Sequence, residues 1–178
     1  MNDIDWTLTA SARGHKKIAR IRPWVMLAAP VAAILFQVYT PIYFPLLQYL
    51  ELPLLVTIYL SISRRSPLGG ALIGAVIGLV QDALSHQPIG VLGMVKTITG
   101  YASAALGVRL DTGHVVVRLV LIPVMFVTHQ LLYWMARRFL LGAPSGATFG
   151  PTLLAMLANA VLGILLFHLL DKLRDSGQ

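Results

Sequence analysis

Residues 70–85 read GALIGAVIGLVQDALS, an apolar stretch in which Gly70, Gly74 and Gly78 recur at every fourth position. Residues four apart are neighbours on the surface of a helix, so the three glycines share one face. A face of small residues lets another helix approach closely, as packed helices in membranes do. Asp82 follows one turn after the last of these glycines. The stretch therefore predicts a membrane helix that packs through its glycine face and ends near an acidic residue.

The rest of the chain is also apolar enough to lie in a membrane. Its 178 residues are 57% hydrophobic, with a mean hydropathy of +0.76. Five runs are long enough to cross a bilayer, which takes roughly 20 apolar residues, and the glycine-broken run that ends at Asp82 is a shorter sixth. The runs are 24–39, 46–62, 68–84, 91–106, 115–135 and 152–170. The sequence predicts an all-α integral membrane protein with six transmembrane helices and no separate soluble domain.

The basic residues predict how this bundle is oriented. A polar segment, residues 1–22, ends in five Lys and Arg residues, and its length and aspartates indicate an uncleaved tail. When six spans are threaded from this tail, eleven Lys and Arg residues fall on its side, against Arg137 and Arg138 on the other. Loops rich in Lys and Arg stay cytoplasmic. The sequence thus predicts a cytoplasmic tail at 1–22, a transmembrane domain at 23–171 and a cytoplasmic C-terminal tail at 172–178.

Composition excludes several kinds of function. The chain has no cysteine, which excludes disulfides, thiolate nucleophiles and Cys-type metal sites. It has neither a phosphate-cradling glycine loop nor a His-Glu zinc motif, so no cofactor or metal is predicted. The net charge of +7 is distributed over loops between apolar runs. This distribution indicates contact with anionic membrane lipids and makes nucleic-acid binding a poor interpretation.

Polar side chains inside the apolar runs are costly in hydrocarbon and tend to face protein, water or a partner. Asp82 and Lys96 flank the turn between the third and fourth runs, and the long stem of Lys96 is expected to reach Asp82. The pair is interpreted either as an ion pair that joins a helical hairpin or as a site that faces a partner or substrate. His129 and Asn159 are expected to form hydrogen bonds between helices. The alternatives are an acid–base pair of an intramembrane enzyme and, for His129, a metal ligand.

A second ridge of small residues lies on the fourth run, at Gly100, Ser103, Ala104 and Gly107. Two such ridges beside a charged turn predict that the third and fourth helices pack against each other or against a helix from another protein. The candidate residues for helix packing or partner binding are Gly70, Gly74, Gly78, Asp82, Lys96, Gly100, Ala104 and Asn159.

Residues 70–85, together with Pro88-Ile89-Gly90, resemble the glycine helix, aspartate and turn of the rod shape-determining membrane protein family MreD. Further matches are Pro53-Leu54-Leu55 with Tyr59, Tyr101-Ala102, and Asn159 before the basic Lys172 and Arg174. The resemblance covers residues 20–174. His86 and Gln87 depart from it, because the family usually has glycine after the serine, and they predict a larger or differently bonded turn.

The resemblance implies a non-enzymatic scaffold subunit, in the bacterial cytoplasmic membrane, of the machinery that inserts side-wall peptidoglycan during elongation. It implies direct binding to the single-span protein MreC and, through it, association with the actin-like MreB, the glycosyltransferase RodA and a class B penicillin-binding transpeptidase. One exposed helix face is expected to dock the MreC transmembrane helix. The resemblance also implies a helical fold similar to the substrate-binding subunits of energy-coupling-factor transporters. That similarity leaves an alternative open, a substrate-binding subunit of a vitamin-type transporter.

Overall fold

The computed structural model describes residues 22–85, 88–142 and 149–173, and these ranges contain helices and turns but no strand. Six helical spans are long and apolar enough to cross a membrane, which confirms the prediction of an all-α protein with six transmembrane helices. The α-helices are α1 (Pro23–Tyr43), α2 (Leu52–Arg64), α3 (Pro67–Leu84), α4 (Val91–Arg109), α5 (Val115–Leu141) and α6 (Phe149–Lys172). Nearly all of the tail at 1–22, the turn residues His86 and Gln87, and most of the tail at 172–178 lie outside the described residues.

Successive helices run in opposite directions, so the bundle has two ends. The basic end carries Arg64, Arg109 and Lys172, which lie in the last turns of α2, α4 and α6. The turn end carries Ser85 and Gly90, which flank the turn between α3 and α4. All contacts between consecutive helices are therefore antiparallel.

The central helix of the bundle is α2. Every residue from Pro53 to Ile62 is buried, and α2 contacts each of the other five helices. A helix that is buried on all sides needs no polar face. The hydroxyl of Thr57 lies in this interior and donates to the carbonyl oxygen of Pro53 at 2.7 Å, so its polarity is satisfied within the helix. The remaining helices surround α2 and are each partly exposed.

The second apolar run is one span but not one continuous helix. Pro45–Tyr49 form a short 3₁₀ helix, Leu50 and Glu51 are not helical, and α2 begins only at Leu52. Pro53 accounts for the break, because proline has no N–H for the helical ladder and is tolerated only in the first turn of a helix. The break lies at the turn end and leaves backbone groups that need partners from elsewhere.

The outer surface of the bundle is apolar. Leu72 of α3, Val116 of α5 and Leu165 of α6 are exposed by 67%, 72% and 62%, and many other large hydrophobic side chains also face outward. Soluble monomers rarely expose continuous apolar surface of this extent. In a bilayer the same surface contacts lipid tails, and the backbone groups in the interior of each helix are satisfied within that helix.

Candidate functional site

The glycine face of α3 packs directly on the backbone of α4. A Cβ atom added at Gly70, Gly74 or Gly78 would overlap the carbonyl oxygen of Gly100, Lys96 or Leu92, respectively. Each glycine thus lies against a successive turn of α4, and α3 and α4 form the most extensive helix pair in the bundle. These positions accept no side chain unless the two helices separate, which is why the chain has glycine at each of them.

The small-residue ridge of α4 is divided between two neighbours. Gly100 and Ala104 face α3, where a Cβ added at Gly70 would lie 2.7 Å from the Cβ of Ala104. Gly107 instead faces α2, where an added Cβ would lie 3.1 Å from the Cα of Ile62. Both glycine ridges are therefore used inside this molecule, and neither is left exposed to a helix from outside.

Asp82 closes the α3–α4 hairpin at the turn end. Its carboxylate oxygens accept hydrogen bonds from the backbone N–H groups of Gly90 (2.9 Å), Leu92 (3.2 Å) and Gly93 (3.1 Å). The first N–H groups of a helix have no partner within that helix, and negative charge is favourable beside them. Gly90 precedes α4 with φ +102°, a conformation that glycine adopts without strain. A side chain of one helix thus caps the next.

The predicted ion pair between Asp82 and Lys96 is wrong. Nζ of Lys96 lies 3.9 Å from Oε2 of Glu51 and 3.2 Å from Nε2 of His129, whereas the oxygens of Asp82 bind backbone N–H groups. Side chains on a helix point back towards its N-terminus, so the stem of Lys96 extends from α4 towards the turn end. The lysine is fully buried, and it joins α4 to the start of α2 and to α5.

Asn159 of α6 bridges the break before α2. Its side-chain oxygen accepts from the backbone N–H of Glu51 at 2.7 Å, and its Nδ2 donates to the carbonyl oxygens of Tyr49 and Ala155, both at 2.8 Å. An unpaired backbone group in hydrocarbon costs several kcal/mol. Asn159 therefore gives hydrogen-bond partners to the backbone groups of Tyr49 and Glu51 at the break in the second span. This arrangement is more specific than the interhelical hydrogen bond that the sequence predicted.

Sequence reasoning missed a network at the basic end. Asp171 accepts a hydrogen bond from the hydroxyl of Tyr59 at 2.9 Å and pairs with Nη1 of Arg118 at 2.6 Å. Nε of Arg118 also donates to the carbonyl oxygen of Thr112 at 2.7 Å, and its guanidinium lies 5.7 Å from the ring centroid of Phe167. Charge-assisted hydrogen bonds of this kind are stronger than neutral ones. The network holds α2, α5 and α6 together where the sequence shows only charges near helix ends.

An apolar groove of about 310 Å³ opens on the outside of α1 and α3. Leu27 and Val31 line it from α1, Leu72 and Val76 line it from α3, and Leu60 of α2 lies at its floor. The four wall residues are between 47% and 72% exposed, whereas Leu60 is 1% exposed. The glycine face of α3 points away from this groove into α4, so the groove is formed by the opposite face of the same helix.

The interior polar residues form links between helices. His129 and Asn159, considered as an acid–base pair, have different partners, because His129 contacts Lys96 and Asn159 binds the backbone at the break. Within residues 22–85, 88–142 and 149–173, no three His, Asp or Glu side chains form a group that could hold a metal ion. Glu51 and His129 were not among the residues predicted for helix packing or partner binding, although both were recognised as polar residues within apolar runs.

These features define a multi-pass membrane protein whose helices pack through glycine-to-backbone contacts and a few buried polar links. The family of rod shape-determining protein MreD matches residues 18–173, which is most of the chain. The chain belongs to this family, as its glycine helix, aspartate and turn suggested. Comparisons with curated proteins and with solved structures gave no significant match.

Membership of the family gives the protein its biological setting. It has a role in rod shape determination and cell wall elongation, as a transmembrane protein. The family is a shape-determining structural family and is not known as a family of enzymes. The match does not support the alternative of a vitamin-type transporter subunit.

Proposed function

We propose that this protein is a non-enzymatic scaffold subunit of the rod-shape machinery and that it binds the transmembrane helix of MreC in the groove between α1 and α3. The family match supports the cellular process. The observation that carries the docking step is the groove itself, which remains open after both glycine ridges are used inside the bundle. This placement replaces the expectation that the small residues themselves approach MreC.

The shape and chemistry of the groove support a helix as its occupant. Association of helices in lipid depends on close packing, because lipid tails are as apolar as leucine. A helix lying between α1 and α3 would contact two walls at once, with Leu72 and Val76 on one side and Val31 on the other. On the convex lipid-facing side of a single helix, the same occupant would contact one wall only. The single-span MreC helix fits this geometry.

The α3–α4 hairpin gives the groove a rigid wall. Gly74 is fixed against the backbone of Lys96, and Asp82 fixes the turn end of the hairpin through three hydrogen bonds. The outward side chains Leu72 and Val76 are consequently held in place before a partner arrives. Such preorganisation reduces the ordering cost of binding, so the packing residues support the docking face without touching the partner.

The proposal includes the orientation of the bundle, with both termini in the cytoplasm and the basic end on the inner side. Arg64, Arg65 and Arg109 at that end, against Arg137 and Arg138 near the other, support it. The cytoplasmic basic tail at 1–22 would then contact anionic lipid headgroups. A periplasmic reporter enzyme fused after Gln178 should be inactive and a fluorescent protein fused there should be bright. The reverse result would refute the orientation.

MreB, RodA and the class B transpeptidase are proposed to join through MreC and not through the groove. A fold similar to energy-coupling-factor substrate-binding subunits stays a prediction of the family resemblance. Neither statement is needed for the docking step.

The docking step is tested by a pair of matched substitutions, Val76→Trp and Val161→Trp. The two valines are 61% and 62% exposed, and both face outward from a helix. Only Val76 lines the groove, whereas Val161 lies on α6. Tryptophan at Val76 fills space that the partner helix needs, so the yield of MreC that co-purifies from native membranes should fall sharply. The Val161→Trp variant should retain the yield of the wild type.

The yields of co-purified MreC can be compared only between folded proteins, so both variants must elute as monodisperse species in detergent. Because both changes are on lipid-facing positions, we expect equal thermal stability. Wild-type yield of MreC from the Val76→Trp variant would refute docking in the groove. Equal loss from both variants would place MreC contact on a much wider surface than the groove and would also contradict the proposal.

A further inference from the structure

Three ionisable side chains from three different segments meet inside the bundle. Lys96 of α4 is fully buried, His129 of α5 is 1% exposed, and Glu51 lies in the break before α2. Nζ of Lys96 is 3.2 Å from Nε2 of His129 and 3.9 Å from Oε2 of Glu51. Charged groups in a membrane interior are costly and are usually functional. The cluster links α4 to α5 and to the start of α2, and these links alone leave part of its hydrogen-bonding capacity unused.

Hydrogen bonding in the cluster is incomplete. A lysine ammonium has three N–H donors and no acceptor, and Oε2 of Glu51 at 3.9 Å is beyond hydrogen-bond distance. Since Nε2 of His129 accepts from the ammonium, the proton of the neutral imidazole is assigned to Nδ1. Both Nδ1 of His129 and Oε2 of Glu51 are buried without a hydrogen-bond partner among the described residues. The cluster thus has unfilled donors on Lys96 and His129 and an unfilled acceptor on Glu51.

We propose that the Glu51–Lys96–His129 cluster binds one hydroxyl-bearing molecule, whose oxygen accepts from Lys96 and whose proton is donated to Glu51, while His129 holds the ammonium of Lys96 from the other side. A hydroxyl group both accepts and donates a hydrogen bond, which is what an unfilled donor on Lys96 opposite an unfilled acceptor on Glu51 requires. An oxygen about 2.8 Å from each of two atoms bridges a gap of about 4 Å or slightly more, close to the 3.9 Å between Lys96 and Glu51. Water and the glycerol headgroup of a lipid both supply this chemistry.

Charge and access are consistent with an uncharged hydroxyl group, of water or of a lipid headgroup, that enters the cluster at the turn end. The carboxylate of Glu51 balances the ammonium of Lys96, so an added anion or cation would leave a buried charge unpaired. The side chain of Glu51 is 20% exposed, whereas that of Lys96 is 0% exposed. Glu51 is therefore the residue of the cluster that reaches the surface. It lies in the non-helical break before α2.

The absence of cysteine from the chain allows a direct test with single-cysteine reporters. The protein is delipidated in detergent, and the rate of labelling by charged sulfonatoethyl methanethiosulfonate is measured for His129→Cys. The control is Met125→Cys, one turn away on the same helix and 4% exposed. Only a thiolate reacts, and a thiolate forms where water or a polar neighbour is present. We expect His129→Cys to react about tenfold faster than the control, or more.

A second reporter, Thr99→Cys, leaves all three cluster residues in place. Thr99 is fully buried three residues from Lys96 on α4, and the change is nearly isosteric. It should also react faster than Met125→Cys, although its own hydroxyl position is not part of the cluster. If His129→Cys does not fold, as judged by size-exclusion chromatography, Thr99→Cys alone decides the outcome.

The source of the hydroxyl is identified by adding lipid to the two reporters. Phosphatidylglycerol carries headgroup hydroxyls, and phosphatidylmethanol has the same charge without them. If phosphatidylglycerol slows the labelling and phosphatidylmethanol does not, the hydroxyl belongs to the lipid headgroup. If neither lipid changes the fast labelling, the hydroxyl belongs to water. Labelling of the folded reporters no faster than that of Met125→Cys would overturn the proposal.

Discussion

A single methyl group at Gly74 should weaken the contact between α3 and α4. In the Gly74→Ala variant the added Cβ would lie 2.5 Å from the carbonyl carbon of Lys96, whereas ordinary van der Waals contact begins at 3.4 Å. The two helices must therefore separate by about 1 Å, because the opposing atoms are backbone and cannot rotate away. Overpacking of this kind costs about 1–3 kcal/mol.

The neighbouring Gly69 provides the control. A Cβ added there would lie 3.5 Å from the side chain of Ser66, an ordinary contact distance. Alanine is the better helix former, so Gly69→Ala should be neutral or should stabilise the protein by up to about 1 kcal/mol. The two variants differ by position alone, since both replace glycine with alanine on the same helix.

The assay is thermal unfolding of the purified protein in detergent, monitored by the loss of the monodisperse species. Gly74→Ala should unfold at a clearly lower temperature than the wild type, and Gly69→Ala should unfold at the same or a higher temperature. If Gly74→Ala were as stable as Gly69→Ala, then α3 and α4 would not be in backbone contact at this position. In that case the α3–α4 hairpin would not provide the rigid wall that we propose for the groove.

Three further substitutions test other parts of the structure. Asp82→Asn should lower the free energy of unfolding by about 1–2 kcal/mol, and hydrogen exchange at the Gly93 amide, which binds Asp82, should become faster. An unchanged exchange rate would argue against Asp82 as the cap of α4. Arg118→Met should cost about 1–3 kcal/mol by removing the charge-assisted pair between Arg118 and Asp171, whereas a stability equal to that of the wild type would show that the pair contributes nothing. Arg65 has φ +49°, so Arg65→Gly should raise the thermal midpoint by an amount equivalent to about 0.5–1 kcal/mol; a lower midpoint would contradict the left-handed conformation.

The features that the sequence predicted well depend on short-range patterns. Six apolar runs and the spacing of Gly70, Gly74 and Gly78 can be read within single helices, because hydrophobicity and four-residue periodicity are local properties. The packing partner of those glycines was left open between α4 and another protein. The structure supplies the missing fact, that Gly70 opposes Gly100 across the hairpin.

The partner of Lys96 was mispredicted for a physical reason. Separation along the chain favoured Asp82, but the oxygens of Asp82 bind the first N–H groups of α4, and only a folded turn shows that these groups are in reach. The true partners, Glu51 and His129, are brought close by the packing of three segments. A long flexible side chain with several acceptors in range cannot be assigned from spacing.

The longest-range links were the least accessible to sequence reasoning. Asn159 binds the backbone at Glu51, 108 positions away, and Tyr59 binds Asp171, 112 positions away. The second run, 46–62, was predicted without a break, although it contains Pro53. The sequence does not predict which of the few polar side chains in the apolar runs lies opposite the break before α2.

The α3–α4 hairpin has a consequence for how the protein is made. Its glycine contacts and the Asp82 cap join residues close together in the chain, so all of them are available as soon as α4 has been synthesised. Local contacts form early, because little loop entropy is lost in bringing them together. We therefore expect the two helices to leave the translocon as a preassembled pair, with the cap already shielded, and the later spans to be added around them.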